Sequence, residues 1–115
     1  MKHPNSVTLL HENNFGYIAK CNCCTEIKVS LGNIILSLTE QEFRDFDTFF
    51  DKIRIDFEKD KKNKDGQNNR RYYIKTYFNE LILSFSYQEL SETIELLNFS
   101  NIMLSVNKQM ETNED

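Results

Sequence analysis

The chain has 115 residues, of which 39% are hydrophobic and 28% are charged, and its 14 basic and 18 acidic side chains give a net charge of −4. Chains of this length usually form one domain with its own core, so the composition predicts a single domain over residues 1–115 and leaves no room for a second, catalytic one. No stretch approaches the roughly 20 apolar residues of a membrane helix, and no apolar segment follows Lys2 as it would in a secretion signal. We therefore expect a cytoplasmic protein that does not contact membranes.

Positive charge is concentrated in the middle of the chain. Residues 52–75 contain nine basic and four acidic side chains, whereas the remainder contains five basic and fourteen acidic ones. Within this region, residues 59–70 contain no apolar side chain and are typical of a flexible, solvated linker. Lysines in such a segment can also bind nucleic acid locally. Because the rest of the chain is acidic and repels phosphates, we do not expect a nucleic-acid partner.

The first 25 residues are predicted to contain an amino-terminal hairpin. Two segments with the alternation of β-strands flank Asn13-Asn14, a pair that suits a hairpin turn. Pairing across this turn places His11 opposite Gly16, about 16 Å along the strand from the cysteines that follow. His11 is therefore not expected to lie beside them.

The three cysteines form one cluster, Cys21-Asn22-Cys23-Cys24, which is not the distribution of a disulfide framework. A C-x-x-C turn between two strands is typical of a zinc knuckle. The hairpin register places His3 opposite Cys24 and beside Cys21, so His3, Cys21 and Cys24 are three candidate zinc ligands, with Cys23 or water as the fourth. The alternative is a turn of free thiols, and zinc is the only cofactor that the sequence suggests. Flanking strands argue against a thioredoxin-like redox role, which uses a C-x-x-C at a helix start.

The segment at residues 27–43 recurs, 47 positions later, at residues 74–90. Seven aligned positions are identical, and most of the others keep their polarity. Each copy alternates like a hairpin and then takes up a helical period, so each predicts a β-hairpin followed by an α-helix. We therefore expect an α+β domain built from two such units, residues 26–58 and residues 71–98.

The two hairpins are expected to pair into one antiparallel sheet with the helices on one face. Alternation then places the apolar residues of both hairpins on the covered face. The predicted turns are Gly32-Asn33 and Asn79-Glu80, and the predicted pairs include Ile27 with Leu38 and Ile74 with Phe85.

The open face of this sheet is the predicted contact surface. Tyrosine and arginine carry much of the binding energy at protein interfaces, so a protein partner, either a second copy or another chain, is expected. Aromatic rings beside basic groups can also stack single-stranded bases, and exposed tyrosines can simply pack against neighbouring elements. The predicted surface consists of Arg71, Tyr73, Lys75, Tyr77, Ile35 and Ile82.

Both helix starts carry a capping box. Thr39 is followed three residues later by Glu42, and Ser86 by Glu89. In this motif the hydroxyl accepts from the third helical N–H, and the glutamate accepts from the amide of the capping residue. Apolar stripes at helical spacing follow both boxes.

The apolar pattern changes after Asn98. Phe99, Ile102, Met103, Val106 and Met110 keep a helical spacing, but their stripe lies on another side of the helix from the one that precedes it. We expect a break near Asn98 and a short third helix in residues 99–115. A strand from Phe99 to Val106 is the alternative.

Several short motifs occur in order along the chain: His3-Pro4-Asn5, Gly16-Tyr17-Ile18, Cys21-x-x-Cys24, Leu31-Gly32-Asn33 and Glu40-Gln41-Glu42-Phe43. As an ordered set they resemble a family of small uncharacterised bacterial proteins, a domain of unknown function. The resemblance implies a cysteine two residues before the histidine, which would complete a Cys-His-Cys-Cys set of metal ligands. Met1 stands at that position here. The resemblance implies no activity.

No catalytic constellation is recognisable. None of the three glycines belongs to a phosphate-binding loop, and both histidines lie within the first eleven residues without a nucleophile motif nearby. We therefore expect a non-catalytic interaction domain and not an enzyme. A zinc-stabilised module and a local nucleic-acid binder, using the basic linker and the open sheet face, are the alternatives.

Overall fold

The computed structural model describes residues 7–61, 71–76 and 80–113. Over these residues the fold is α+β, as predicted, with six strands and two helices. The elements are β1 (Val7–Glu12), β2 (Gly16–Cys21), β3 (Ile27–Leu31), β4 (Ile34–Leu38), α1 (Glu40–Lys61), β5 (Tyr72–Lys75), β6 (Ile82–Phe85) and α2 (Tyr87–Asn113).

The described strands form two sheets and not the single sheet expected. Strands β1 to β4 pair in sequence order in one antiparallel sheet, and β5 pairs with β6 in another. The two sheets meet where the ring of Phe15, in the turn between β1 and β2, packs edge-on against Phe85 of β6, with the ring centroids 5.8 Å apart. Because side-chain packing and not backbone pairing makes this connection, the prediction of one sheet is wrong.

The β3–β4 hairpin has the predicted register. Ile27 lies opposite Leu38, and Leu31 opposite Ile34. Gly32 takes a φ of 58° at the first turn position, which glycine adopts without steric cost. Its N–H also donates to the carbonyl oxygen of Phe15 at 2.9 Å, which ties the turn to the end of the β1–β2 hairpin.

The β5–β6 hairpin differs from its predicted register by two residues. Ile74 pairs with Leu83 and not with Phe85. Thr76 extends the pairing, because its N–H and its hydroxyl donate to the carbonyl oxygen of Leu81 at 3.3 and 2.8 Å. A shift of two residues keeps every side chain on its predicted face, since the side-chain period of a strand is two. The predicted turn residue Asn79 lies outside the described residues.

The register of the β1–β2 hairpin is also different from the prediction. Val7 lies opposite Cys21, one residue from the predicted pairing, and a further shift between Leu9 and His11 places His11 opposite Ile18 instead of Gly16. The side-chain oxygen of Asn13 accepts from the N–H groups of Phe15 and Gly16 at 2.9 and 3.2 Å, so the turn is longer than the two asparagines expected.

Both predicted capping boxes are present, with matching geometry. The N–H of Glu42 donates to the Thr39 hydroxyl at 3.1 Å, and the N–H of Thr39 donates to the Glu42 carboxylate at 2.8 Å. Glu89 and Ser86 make the same two bonds at the same distances. Helix α1 continues to Lys61 and so extends into the first residues of the predicted linker.

Helix α2 does not break near Asn98 but runs as one helix from Tyr87 to Asn113, so the prediction of a third helix is wrong. The physical reason is a buried face that continues past that point. Leu97, Ser100 and Leu104 are all fully buried, at the spacing of one helix side. The apolar stripe that begins at Phe99 is a second, exposed face of the same helix.

The core lies between the inward face of the strands and the two helices. Helix α2 packs on β1, β2 and β6, and α1 packs on β4 and on α2. Polar contacts join the helices, with Arg54 donating to Asn98 at 3.0 Å and Asn101 donating to Asp47 at 3.1 Å. In the part of the chain that the structure describes, neither helix has the length and apolar content needed to cross a membrane.

Candidate functional site

The outward face of the β5–β6 hairpin carries four of the six residues predicted for the contact surface. Tyr73 and Ile82 are 71% and 59% exposed, and Arg71 and Lys75 are exposed beside them. Tyr73 lies opposite Ser84, and Lys75 opposite Ile82. The alternate residues of both strands point into the core or lie partly covered by it. We call Arg71, Tyr73, Lys75, Ile82 and Ser84 the hairpin face.

Arg71 is held in place at one end of the hairpin face. Its Nε donates to the Ser84 hydroxyl at 3.1 Å, and one terminal nitrogen donates to the Ser84 carbonyl oxygen at 3.0 Å. The same nitrogen lies 3.7 Å from a carboxylate oxygen of Glu89. Because these contacts already restrict the guanidinium, Arg71 loses less side-chain entropy when a ligand binds to it.

Ile35 does not join this surface in the structure. Ile35 is 60% exposed but lies on β4, opposite Ser30, on the outward face of the four-stranded sheet. On that face Lys28 donates to the Ser37 hydroxyl at 2.6 Å. Tyr77 lies outside the described residues. The described residues of the predicted surface are therefore divided between two sheets, with Tyr73, Lys75 and the adjacent Arg71 on the second.

A cleft of about 350 Å³ lies where the hairpin face meets the four-stranded sheet. It connects Arg71 and Ile82 with the Gly32-Asn33 turn. Sequence reasoning missed Phe15 and Glu89 as parts of this surface. A large apolar residue in the otherwise polar turn Asn13-Asn14-Phe15-Gly16 was the available signal for Phe15. The lining residues are Phe15, Leu31, Gly32, Asn33, Ile34, Arg71, Ile82, Leu83, Ser84, Phe85 and Glu89.

The cysteine turn connects β2 to β3, as predicted, and its first and last thiols are in contact. The N–H of Cys21 donates to the carbonyl oxygen of Glu26 at 2.9 Å and closes the turn. A hydrogen bond with the Cys21 thiol raises the pKa of Cys24, while the backbone N–H of Glu26 donates to the Cys24 sulfur and acts in the opposite direction. None of the three cysteines forms a disulfide, and Cys23 and Cys24 are exposed.

These thiols fit two positions of a metal site. Among the described residues, no group of three or more histidine, cysteine or acidic side chains is placed to hold a metal ion. His3, the predicted third ligand, lies outside those residues. His11 is occupied elsewhere, since its Nε2 is 2.8 Å from Glu95 and its ring stacks on Phe99. The turn therefore brings two thiols together, without a third candidate ligand among the described residues.

No curated protein and no solved structure matches this chain. One family model does match it, over nearly the whole length, and the family that it defines has no known function. The resemblance to a family without an assigned activity, predicted from the ordered motifs, is confirmed at that level. The chain belongs to the family of unknown function DUF6686, whose model spans residues 1–113.

Proposed function

We propose that this protein is a non-catalytic binding module that contacts another protein through the hairpin face. The observation that carries the proposal is the combination of Tyr73, 71% exposed, with Ile82, 59% exposed, beside a guanidinium that Ser84 already holds. A tyrosine and an ordered arginine next to an exposed aliphatic residue match the composition of binding hot spots.

The charge and shape of this surface indicate the chemistry of the partner. Arg71 and Lys75 make the hairpin face basic in a chain of net charge −4. The cleft beside Ile82 has the volume for one or two side chains of a partner. We therefore propose a partner segment that presents a carboxylate next to an apolar side chain, which suits an acidic protein better than a nucleic acid with its continuous phosphates. The clustered cysteines support a cytoplasmic setting for this contact.

Site-specific photo-crosslinking in the native cell tests this proposal. A photoreactive phenylalanine analogue at position 73 should give a protein adduct that the same analogue at Ile55 does not give. Ile55 is 58% exposed on α1 and serves as the matched control position. Equal adducts at both positions, or none at position 73, would refute the assignment of the hairpin face.

Binding of the purified partner provides the quantitative step. Tyr73→Ala should weaken binding by roughly 10- to 30-fold, the usual cost of removing an aromatic hot spot. Arg71→Ala should weaken binding and reduce its salt dependence, because it removes a charge at the edge of the contact. Unchanged affinity in both variants contradicts the proposal.

A second function, binding of zinc or a similar thiophilic cation, is favoured by the contact between Cys21 and Cys24. Two thiolates at one turn are a recurrent half of a zinc site. His3 and Cys23 are the proposed additional ligands. Bound zinc would join the end of β2 to the start of β3 and stabilise the turn.

Cobalt(II) is the probe for this function, because thiolate ligands give it a strong charge-transfer absorption. One equivalent per chain should bind, and Cys24→Ser and Cys21→Ser should each abolish the absorption. Cys23→Ser is the matched variant on the same turn, and its spectrum decides whether Cys23 is a ligand. An absorption that survives in Cys24→Ser, or none in the unmodified protein, contradicts the proposal.

The metal-free thiols give an independent check of the geometry. Because the Cys24 thiol donates to the Cys21 sulfur, and this bond raises the pKa of Cys24, Cys24 should be alkylated slowly near neutral pH. Cys21→Ala removes that bond and should accelerate alkylation of Cys24. An unchanged rate would mean that the two thiols are not in contact.

A further inference from the structure

The second half of α2 carries an apolar stripe that faces away from the core. Phe99, Ile102, Met103 and Val106 recur at intervals of three and four residues, the spacing of one helix face. They are 50%, 58%, 39% and 40% exposed, whereas Leu104 on the opposite face is fully buried. Isolated exposed apolar residues are ordinary, but a contiguous stripe of four large ones marks a contact surface.

The part of α2 that carries this stripe has no charge of its own, and Arg54, Glu58 and Glu95 lie near Phe99 at one end of it. Residues 98–107 contain no charged side chain, in a chain of which 28% is charged. The nearest charges on either side are engaged elsewhere, since Glu95 lies 2.8 Å from His11 and Lys108 binds Glu40. Large apolar side chains without charges are the composition of the centre of a protein interface.

We propose that the stripe is a homodimer interface, in which α2 packs antiparallel against α2 of a second copy. Two copies that each carry a net charge of −4 repel one another, so they can approach most easily through a neutral surface. A partner of opposite charge, or an anionic membrane, would be recognised through charges of one sign along the stripe. Residues 98–107 supply none, and Arg54 and Glu58 beside Phe99 have opposite signs.

The stripe is complementary to itself in the antiparallel orientation. A two-fold axis between Ile102 and Met103 places Phe99 of each copy opposite Val106 of the other. The large ring then meets a small side chain at both ends, and two side chains of similar volume meet at the centre. The stacking of Phe99 on His11, with ring centroids 4.8 Å apart, holds the ring in position before the contact forms.

The area of the stripe predicts a weak, reversible dimer. With about 200 Å² for each fully exposed large side chain, the exposed fractions give roughly 370 Å² per copy. The two copies together bury roughly 750 Å² of apolar surface, and flanking polar residues add to this area. The total buried area still lies at or below the lower end of the range for specific interfaces. We expect a dissociation constant in the micromolar range.

Sedimentation equilibrium across that concentration range measures the association. Ile102→Glu should raise the dissociation constant at least about 100-fold, because it places a carboxylate in the apolar centre of the contact. Ile35→Glu is the matched control, since Ile35 is 60% exposed on the opposite side of the sheet and should leave the dimer unchanged. A monomer at every concentration, or equal effects of the two variants, overturns the proposal.

Two complementary variants test the antiparallel orientation. Phe99→Lys and Val106→Glu should each be monomeric alone, while their equimolar mixture should form a heterodimer, because the new lysine and glutamate then face each other. A parallel arrangement would leave the mixture monomeric and would overturn the orientation. Circular dichroism of each variant establishes that α2 remains folded, so loss of the dimer cannot be attributed to unfolding.

Discussion

Replacement of Gly16 by alanine should destabilise this protein more than any change of similar size in its sheets. Gly16 begins β2 and lies opposite Leu31 in β3. A Cβ added at Gly16 would stand 1.8 Å from the carbonyl oxygen of Ser30 and 2.8 Å from its carbonyl carbon, whereas real Cβ contacts essentially never fall below 3.0 Å. Both atoms belong to the backbone, so no side-chain rotation can relieve the overlap.

The size of the effect follows from the displacement that this overlap requires. β2 must move away from β3 by on the order of 1 Å, which strains the packing of the core by about 1–3 kcal/mol. The same movement weakens one or two ladder hydrogen bonds, each with a net contribution of about 1 kcal/mol. We therefore expect Gly16→Ala to lower the free energy of unfolding by about 2–5 kcal/mol, a large part of the stability of a small domain.

Urea unfolding followed by circular dichroism measures this loss, with Gly32→Ala as the comparison. Gly32 has a φ of 58°, and an added Cβ there lies 3.2 Å from a ring atom of Phe15, which can shift. Its cost should be about 1–2 kcal/mol, the usual strain of the left-handed conformation. The reasoning fails if Gly16→Ala is no more destabilising than Gly32→Ala.

Three further predictions concern stability. The Ser100 hydroxyl is buried with no hydrogen-bond partner among the described residues. Ser100→Ala should therefore raise the melting temperature by the equivalent of about 1 kcal/mol. A lower melting temperature would contradict this prediction. Thr39→Ala and Ser86→Ala each remove a helix cap and should each lower the free energy of unfolding by about 1 kcal/mol. The two effects should add in the double variant. A strongly non-additive result in urea unfolding would show that the two caps are coupled. A hydrogen bond from Lys108, and then one from Arg44, lowers the pKa of Glu40 in the folded protein. The ionised Glu40 carboxylate therefore stabilises the fold above the unfolded-state pKa of a glutamate. That stabilisation is lost as the pH falls through the folded-state pKa. Melting temperatures of the native protein and of Glu40→Gln should therefore differ at neutral pH and converge in acid, and a constant difference would refute the linkage.

The features that sequence alone predicted well depend on contacts between near neighbours. Both capping boxes join residues three apart, and the register of β3–β4 follows from the Gly32-Asn33 turn. The exposure of Tyr73 and Ile82 follows from strand alternation, which survives a register shift of two residues. Contacts this local form in almost any arrangement of the surrounding elements, so the sequence suffices to predict them.

The candidate site was predicted only in part, because its composition depends on how the hairpins pack. Alternation identified the outward residues, but only the folded chain separates Ile35 from the hairpin face. The cleft arises because Phe15 packs against Phe85, two residues 70 positions apart in the sequence. No local pattern in either segment specifies that contact.

The sequence by itself determined the class of fold, the helix starts and the side of β3, β4, β5 and β6 that meets the core. Tertiary structure decided the shift in the β1–β2 pairing, the separation of the two sheets and the continuity of α2. The shift lets His11 contact Glu95 and Phe99, more than 80 residues away. Leu104 likewise supports the continuity of α2 by packing into a core that no local pattern reveals. The physical reason is the same in each case: these arrangements gain their free energy from burial between distant segments, which exists only when the whole core is assembled.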